Sequence, residues 1–395
     1  MDFGNGPVAK LVELEDVAIV KMKASGAAGW ARVLVGSGTD DLRGIATDDP
    51  GDVFVLMSGS PTMQLGGATV ACDAGTNPSK SFALAKYKRA DGAHVFSRCI
   101  SGLTTLRAGA LAVDGNGDLV VSGFVQGTAD FGGQVKNVAQ LAPFVAKYGG
   151  ANGALVWVNT FPVVVAGGGD VYSAAAAGSD TYFAGRYWGA YTFGTTTLNP
   201  GNSTYEALVV RVDANGGAVW AKSFGTGSDE RISSVAVDGT SSLVVGGYFG
   251  AQMDLGGTLL PSQGGRDGFV ARLKQADGGT EWAKAIGSST SDEVVSVAVA
   301  SNGEIAITGF SSAGVNLGGG TLPYAGNVEG FFGRWSAQGN HIASKSWGTL
   351  HSDFGSAVGY AGTALVLFGT YGSGIVDIGS GQLPTAGGVF LTLLP

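Results

Sequence analysis

Apolar residues run along this chain in short stretches cut apart by Gly, Ser, Thr, Asn and Asp, and the same four stretches return about every 62 residues. Runs of this length, rich in Val, Ala, Phe and Tyr and bounded by turn residues, predict β-strands rather than helices. The first stretch is small and apolar: GIATD (44–48), ALAVD (110–114), SAAAA (173–177), SVAVD (234–238), SVAVA (296–300) and SAVGY (356–360). The second ends in glycine, at positions 59, 123, 185, 247, 309 and 369. The third carries one basic residue per copy (Lys21, Lys86, Lys147, Arg211, Arg272, Arg334), and the fourth carries Trp30, Trp157, Trp220 and Trp282. Asp-Gly and Asn-Gly pairs at 91–92, 215–216 and 277–278 join third to fourth stretches, while DGNGD (114–118) and SNGE (301–304) join first to second. Both are hairpin chemistry.

A short marker, D-[FLI]-G or a near variant, fixes the period. Its glycines fall at 4, 66, 132, 194, 256, 318 and 379, spaced by 62, 66, 62, 62, 62 and 61. Four antiparallel strands per repeat, returning at a constant spacing, predict an all-β fold: a β-propeller of four-stranded antiparallel blades. The strands number six first, six second, seven third and six fourth. That count favours six blades, with seven the alternative, and a single domain over 1–395 whose two termini share one closing blade. The small first strands suit the crowded inner positions. The long basic stems of the third strands are expected to lie over apolar surface, paired with Asp16, Glu206, Asp267 and Glu329 just ahead of them. The tryptophans are expected to pack blade on blade.

Composition narrows the function. Charged residues make up only 14% and the net charge is −8, which argues against nucleic acid and against anionic membrane surfaces. No apolar run is long enough for a spanning helix, and MDFGNGPVAK lacks a signal-peptide pattern. The residues at 2–4 already sit inside a repeat, so a mature segment of a longer secreted chain is expected. Cys72 and Cys99 share one repeat: either they form a single staple or they are two separate buried thiols.

The stretch 235–287, with its ordered AVD, glycine-ended strand, DLGG, D-G-FVARL and WAK, resembles bacterial beta-propeller repeat proteins, abundant in myxobacteria and labelled seven-bladed. The resemblance covers essentially the whole chain. It implies a secreted or surface-anchored protein without an assigned activity, and it brings no catalytic residues.

No sialidase-type S-x-D-x-G-x-x-W box and no quinoprotein A-x-D-x-x-T-G-x-x-x-W pattern is present. The three histidines (94, 341, 351) form no metal motif or nucleophile elbow. Acids recur after the fourth strands (Asp40, Asp41, Asp229, Glu230, Asp292, Glu293, Asp353), where they serve either as turn caps or as calcium ligands. The D-x-N-x-D run at 114–118 is half a calcium loop by type and a hairpin by context. Neither a metal nor another cofactor is expected. One repeat breaks the pattern: 185–194 reads GRYWGAYTFG, after an apolar segment at 161–170. Taken as two loops on one face, they make Tyr187, Trp188, Tyr191 and Phe193 the candidate ligand-binding residues. The expected function is a non-catalytic binding or scaffold propeller of the cell surface or extracellular space. Its partner would be an envelope or extracellular protein or a glycan. A lectin using those aromatics, and a hydrolase or lyase at the channel mouth, are the alternatives.

Overall fold

The computed structural model describes residues 17–23, 25, 27–37, 41–58, 61–72, 80–200, 204–239, 241–379 and 381–394. The marker at 2–4, Asp16, Asp40 and Gly59 lie outside the described residues. Among the described residues the chain is all-β, built of antiparallel sheets, three of them four-stranded. It divides into two compact units. One comprises 1–183, 189–199 and 210–220; the other comprises 184–188, 200–209 and 221–395.

In the second unit, strands Arg231–Asp238, Ser242–Phe249, Asp267–Lys274 and Thr280–Ile286 pair in sequence order as sheet D. Asp292–Val299, Ile305–Ser311, Glu329–Trp335 and His341–Trp347 repeat that order as sheet E. Phe354–Ala361, Ala364–Tyr371 and Gly388–Leu394 form the three-stranded sheet F. In the first unit, sheet A holds Leu42–Thr47, Val53–Ser58, Ser81–Tyr87 and His94–Gly102. Sheet B holds Thr105–Val113, Leu119–Asp130, Val135–Tyr148 and Leu155–Thr160, and the pairing of Ser101 and Gly102 with Asp130 and Ala129 joins it to sheet A as one eight-stranded sheet. The strands Val17–Met22 and Ala28–Gly36 pair with each other, so the two outlying third strands of the sequence count sit in different sheets. The strand Val163–Ala177 lies in the first unit, while Asp180–Phe193, Glu206–Val212 and Ala218–Phe224 each contribute residues to both.

Each sequence stretch therefore became the strand expected of it, for reasons visible in the packing. First strands need small residues because successive sheets approach closely there: a Cβ on Gly109 would meet the Val171 carbonyl oxygen at 2.0 Å. The serines of SVAVD and SVAVA have their own task. Ser234 Oγ accepts the Val297 N–H at 3.1 Å and Ser296 Oγ accepts the Val358 N–H at 3.2 Å, tying each first strand to the next. Three of the four tryptophans join neighbouring sheets as expected. Nε1 of Trp30, Trp157 and Trp282 donates to the carbonyls of Arg89, Ala214 and Ala337, each in the third-to-fourth turn of the following sheet.

The marker turned out to be a turn between strands two and three. Asp130 Oδ1 accepts the N–H groups of Gly132 and Gly133, and Asn316 Oδ1 accepts those of Gly318 and Gly320. The apolar residue between them (Leu65, Phe131, Leu255, Leu317, Ile378) is buried, and the glycine takes a positive φ, 102° at Gly132 and 105° at Gly318. At two of these turns the carbonyl of the apolar residue accepts from the end of the third strand, Tyr87 Oη to Leu65 and Trp335 Nε1 to Leu317. His94 and His341 are seated against the same glycines. Short strands flanking the turn, such as Gln252–Asp254 and Leu259–Pro261, were not expected.

The pairing of the third-strand cations is corrected. Their partners are the acids of the first-to-second hairpins, distant in sequence: Lys86 with Asp48 at 2.9 Å, Lys147 with Asp114 at 2.5 Å, Arg211 with Asp180 at 2.5 Å, Arg272 with Asp238 at 2.7 Å and Arg334 with Glu304 at 2.5 Å. Glu206, Asp267 and Glu329 instead accept from Ser223 Oγ, the Gln263 N–H and the Ala325 N–H. Sequence proximity misled because a strand carries its side chain away from the residues just ahead of it. Cys72 and Cys99 are disulfide-bonded, with Cα atoms 5.5 Å apart. No helix among the described residues is long and apolar enough to cross a membrane.

Candidate functional site

The two segments that suggested aromatic loops are strand: 163–170 lies in Val163–Ala177, and 185–193 in Asp180–Phe193. Tyr187, Tyr191 and Phe193 are fully buried, and Trp188 is half-buried. Tyr187 Oη donates to Ser223 Oγ at 2.9 Å, and burial pushes its phenol well up. Tyr191 Oη donates to the Leu141 carbonyl at 3.3 Å, and its ring meets Phe124 edge-on at 6.1 Å. Phe193 packs on Phe161 with centroids 4.9 Å apart. Two of the four also proved periodic. Phe193 is the marker's apolar residue, equivalent to Phe131 and Leu255, while Tyr191 matches Ala129 and Met253, all of them buried. Of the four, only Trp188 offers accessible surface together with a departure from the repeat.

The acids after the fourth strands close turns. Asp292 accepts from the N–H and Oγ of Ser288, and Asp353 accepts from the N–H and Oγ1 of Thr349. Glu230 accepts from the N–H and Oγ of Ser228. Burial dominates the titration of Asp292, raising it to about 6, and also raises Glu230. The calcium-like run at 114–118 is a hairpin. Asp114 Oδ1 accepts the N–H groups of Asn116 and Asp118, and its Oδ2 faces the Lys147 ammonium, which supplies the positive charge there. Among the described residues no three His, Cys, Asp or Glu side chains gather as a metal shell.

A further series of charges recurs ahead of the small apolar stretches of the first strands. Arg107, Asp170, Arg231 and Glu293 are 63, 61 and 62 residues apart, so cation and acid alternate at one repeat position. In the first unit Arg107 Nη1 pairs with Asp170 Oδ1 at 3.2 Å, and its Nη2 donates to the Gly169 carbonyl at 3.3 Å. Tyr172 Oη donates to the other oxygen of Asp170 at 3.3 Å. This pair lines a cavity of about 360 Å³, walled also by Arg43, Ser58, Ser81 and Phe124. Arg43 is half-exposed and bridges to Asp41 at 3.0 Å.

In the second unit Arg231 pairs with Glu293, and its Nε donates to Ser233 Oγ at 3.1 Å. Beside it stands a denser cluster. Asp229 bridges Arg266 at 2.8 Å and Arg186 at 3.5 Å, and accepts from Tyr248 Oη at 3.4 Å. The guanidinium groups of Arg231 and Arg266 lie 4.8 and 4.7 Å from the Tyr248 ring centre, and that of Arg186 lies 4.0 Å from Tyr205. Asp229 is one of two non-glycine residues with positive φ among those described, at 80°. A left-handed backbone at a non-glycine hub costs free energy, and such strain tends to collect at functional positions. Guanidinium groups stay charged throughout the accessible pH range. The cluster therefore holds fixed positive charge around Asp229. The spacing of 62 was the available signal; attention to acids alone concealed it.

No family model matches the chain, and neither does any curated protein. Solved structures do. BamB from Moraxella catarrhalis is 11% identical, with 89% of this chain and 85% of that one covered at a TM-score of 0.35. The Dos1 propeller is 10% identical, covering 87% and 81% at 0.40. The WD40 beta propeller domain of Doa1 is 10% identical, covering 85% and 91% at 0.36. Likenesses this remote carry no functional argument, and the fold rests on the chain's own repeats and sheets.

Proposed function

We propose that the chain is a non-catalytic β-propeller that binds an extracellular or envelope protein or glycan. In this reading the propeller has six blades, the hairpin 17–36 and sheet F belong to the closing blade, and the chain is a member of the bacterial repeat family it resembles. Six recurrences of the four-strand pattern support that count. End-on particle images by electron microscopy test it, and a sevenfold view overturns it. The Cys72–Cys99 disulfide favours an oxidising compartment.

One observation carries the binding reading. The acids at the start of the inner strands are spent on guanidinium partners and turn caps, while a cavity remains open beside Arg107. A site for acid–base catalysis needs a carboxyl or imidazole within reach of substrate and free to exchange its proton. Recognition needs only fixed donors around a concave surface. Probing a glycan array and immobilised envelope proteins, with mass spectrometry of every captured ligand, separates the two. Retention of intact ligand is expected; a cleaved or eliminated product makes the chain a hydrolase or lyase.

A further inference from the structure

Arg107–Asp170 and Arg231–Glu293 are the same ion pair in two settings, and the difference between them is informative. Both join residues about one repeat apart at the start of first strands. In the second unit the residue two positions after the arginine is Ser233, whose hydroxyl accepts from Nε of Arg231. In the first unit that position is Gly109. It has to be glycine, because a Cβ there would strike the Val171 carbonyl oxygen at 2.0 Å. Nε of Arg107 is consequently buried and meets no acceptor. An unmet buried donor is costly, and each one in a native protein asks for an explanation. Here the arginine that carries it lines the 360 Å³ cavity, inside the range of about 300–1,000 Å³ common to small-molecule sites.

The wall sets the ligand's chemistry. Two guanidinium groups, Arg43 and Arg107, and one carboxylate, Asp170, line the cavity, while Asp41, the partner of Arg43, is exposed and lies outside the lining. The edge of a guanidinium that includes Nε is one of the two that grip a carboxylate with paired hydrogen bonds. Hydroxyls of Ser58, Ser81 and Tyr172 add donors and acceptors suited to a polyol. We propose that this cavity binds an acidic saccharide, its carboxylate held by Arg107 and Arg43 and its hydroxyls by the serines, Asp170 and Tyr172. The proposal rests on the binding reading above and names the ligand class for it.

Isothermal titration with digalacturonate, with its carboxyl-reduced neutral counterpart and with a sulfated disaccharide tests this on the whole chain. Digalacturonate should bind at least about tenfold more tightly than the neutral sugar, and more weakly as salt rises, as a charge-assisted contact requires. Arg107→Gln should lower that affinity about tenfold or more, with Arg107→Lys recovering only part because it lacks the fork. Arg43→Gln decides the matter if Arg107→Gln fails to fold, since Arg43 bridges only the exposed Asp41. Tighter binding of the sulfated sugar moves the site to sulfate and overturns the carboxylate assignment. Equal binding of the neutral sugar, or full affinity in both glutamine variants, overturns the proposal. If neither acidic sugar binds while the array captures a different ligand, this inference fails and the binding module stands. If the array captures nothing, the binding module itself fails.

Discussion

Replacing Lys147 by Met should cost the first unit several kcal/mol, and the size follows from where its partner sits. Lys147 and Asp114 are 7% and 0% exposed in their side chains, and the ammonium stands 2.5 Å from Asp114 Oδ2. The other carboxylate oxygen already takes two backbone N–H groups, so Asp114 is fixed in the hairpin and cannot turn outward to water. Removing the cation leaves a buried, uncompensated charge, which typically costs about 3–5 kcal/mol. For a unit of this size each kcal/mol moves the melting temperature by about 2–4 °C, so a fall of about 6–20 °C is expected by calorimetry at pH 7. Lys147→Met with Asp114→Asn should regain much of the loss, because the amide still accepts from the turn and no longer carries charge. The same cycle on the half-exposed Arg43–Asp41 pair should give about 0–1 kcal/mol. If Lys147→Met melts within about 2 °C of the parent while the double variant does no better, the pair is not a buried charge couple. The interpretation of all five repeat-wise cation–acid pairs would fall with it.

Three further outcomes are expected. Asp292 titrates near 6 because burial raises it, so its contribution is fully present below the unfolded value near 4 and is lost as pH rises through about 6; Asp292→Asn should therefore be stabilised relative to the parent above pH 6, the gap closing toward pH 4, and a pH-independent gap in melting temperature would contradict this. Gly318→Ala forces a side chain into a φ of 105° and should lower unfolding free energy by about 1–3 kcal/mol in urea melts, whereas Gly359→Ala, at a glycine with nothing near its added Cβ, should change little. Reducing Cys72–Cys99, which closes a separation of 27 residues, should destabilise sheet A by about 3–4 kcal/mol on the loop-entropy estimate, and thermal melts unchanged after complete thiol labelling would show that the staple does not restrain the unfolded chain.

The strands were legible because each repeat states them four times over: apolar run, turn residue, glycine and spacing agree. What could not be read was anything that depends on which strands become neighbours. Lys86 reaches Asp48 across 38 residues and also pairs with Asp52, and nothing in the sequence near Lys86 names those acids above Asp91. The marker was legible as a period but not as a turn, because its aspartate acts on backbone N–H groups that only the folded hairpin presents.

The aromatic segment shows a different limit. Selecting Tyr187, Trp188, Tyr191 and Phe193 for breaking the repeat compared residue types, where the comparison that matters is position. A phenylalanine where other repeats carry leucine, or a tyrosine where they carry methionine or alanine, fills the same buried slot with a larger side chain. A change of sign at one position means something else, since a cation and an acid one repeat apart can pair with each other. Arg107, Asp170, Arg231 and Glu293 hold their position and alternate in charge, and both of these ion pairs and the unmet Nε of Arg107 arise there. In an array whose repeats all build the same blade, size variation reports how the core is filled. Charge alternation at a fixed position reports which repeats tie their strands together through ion pairs.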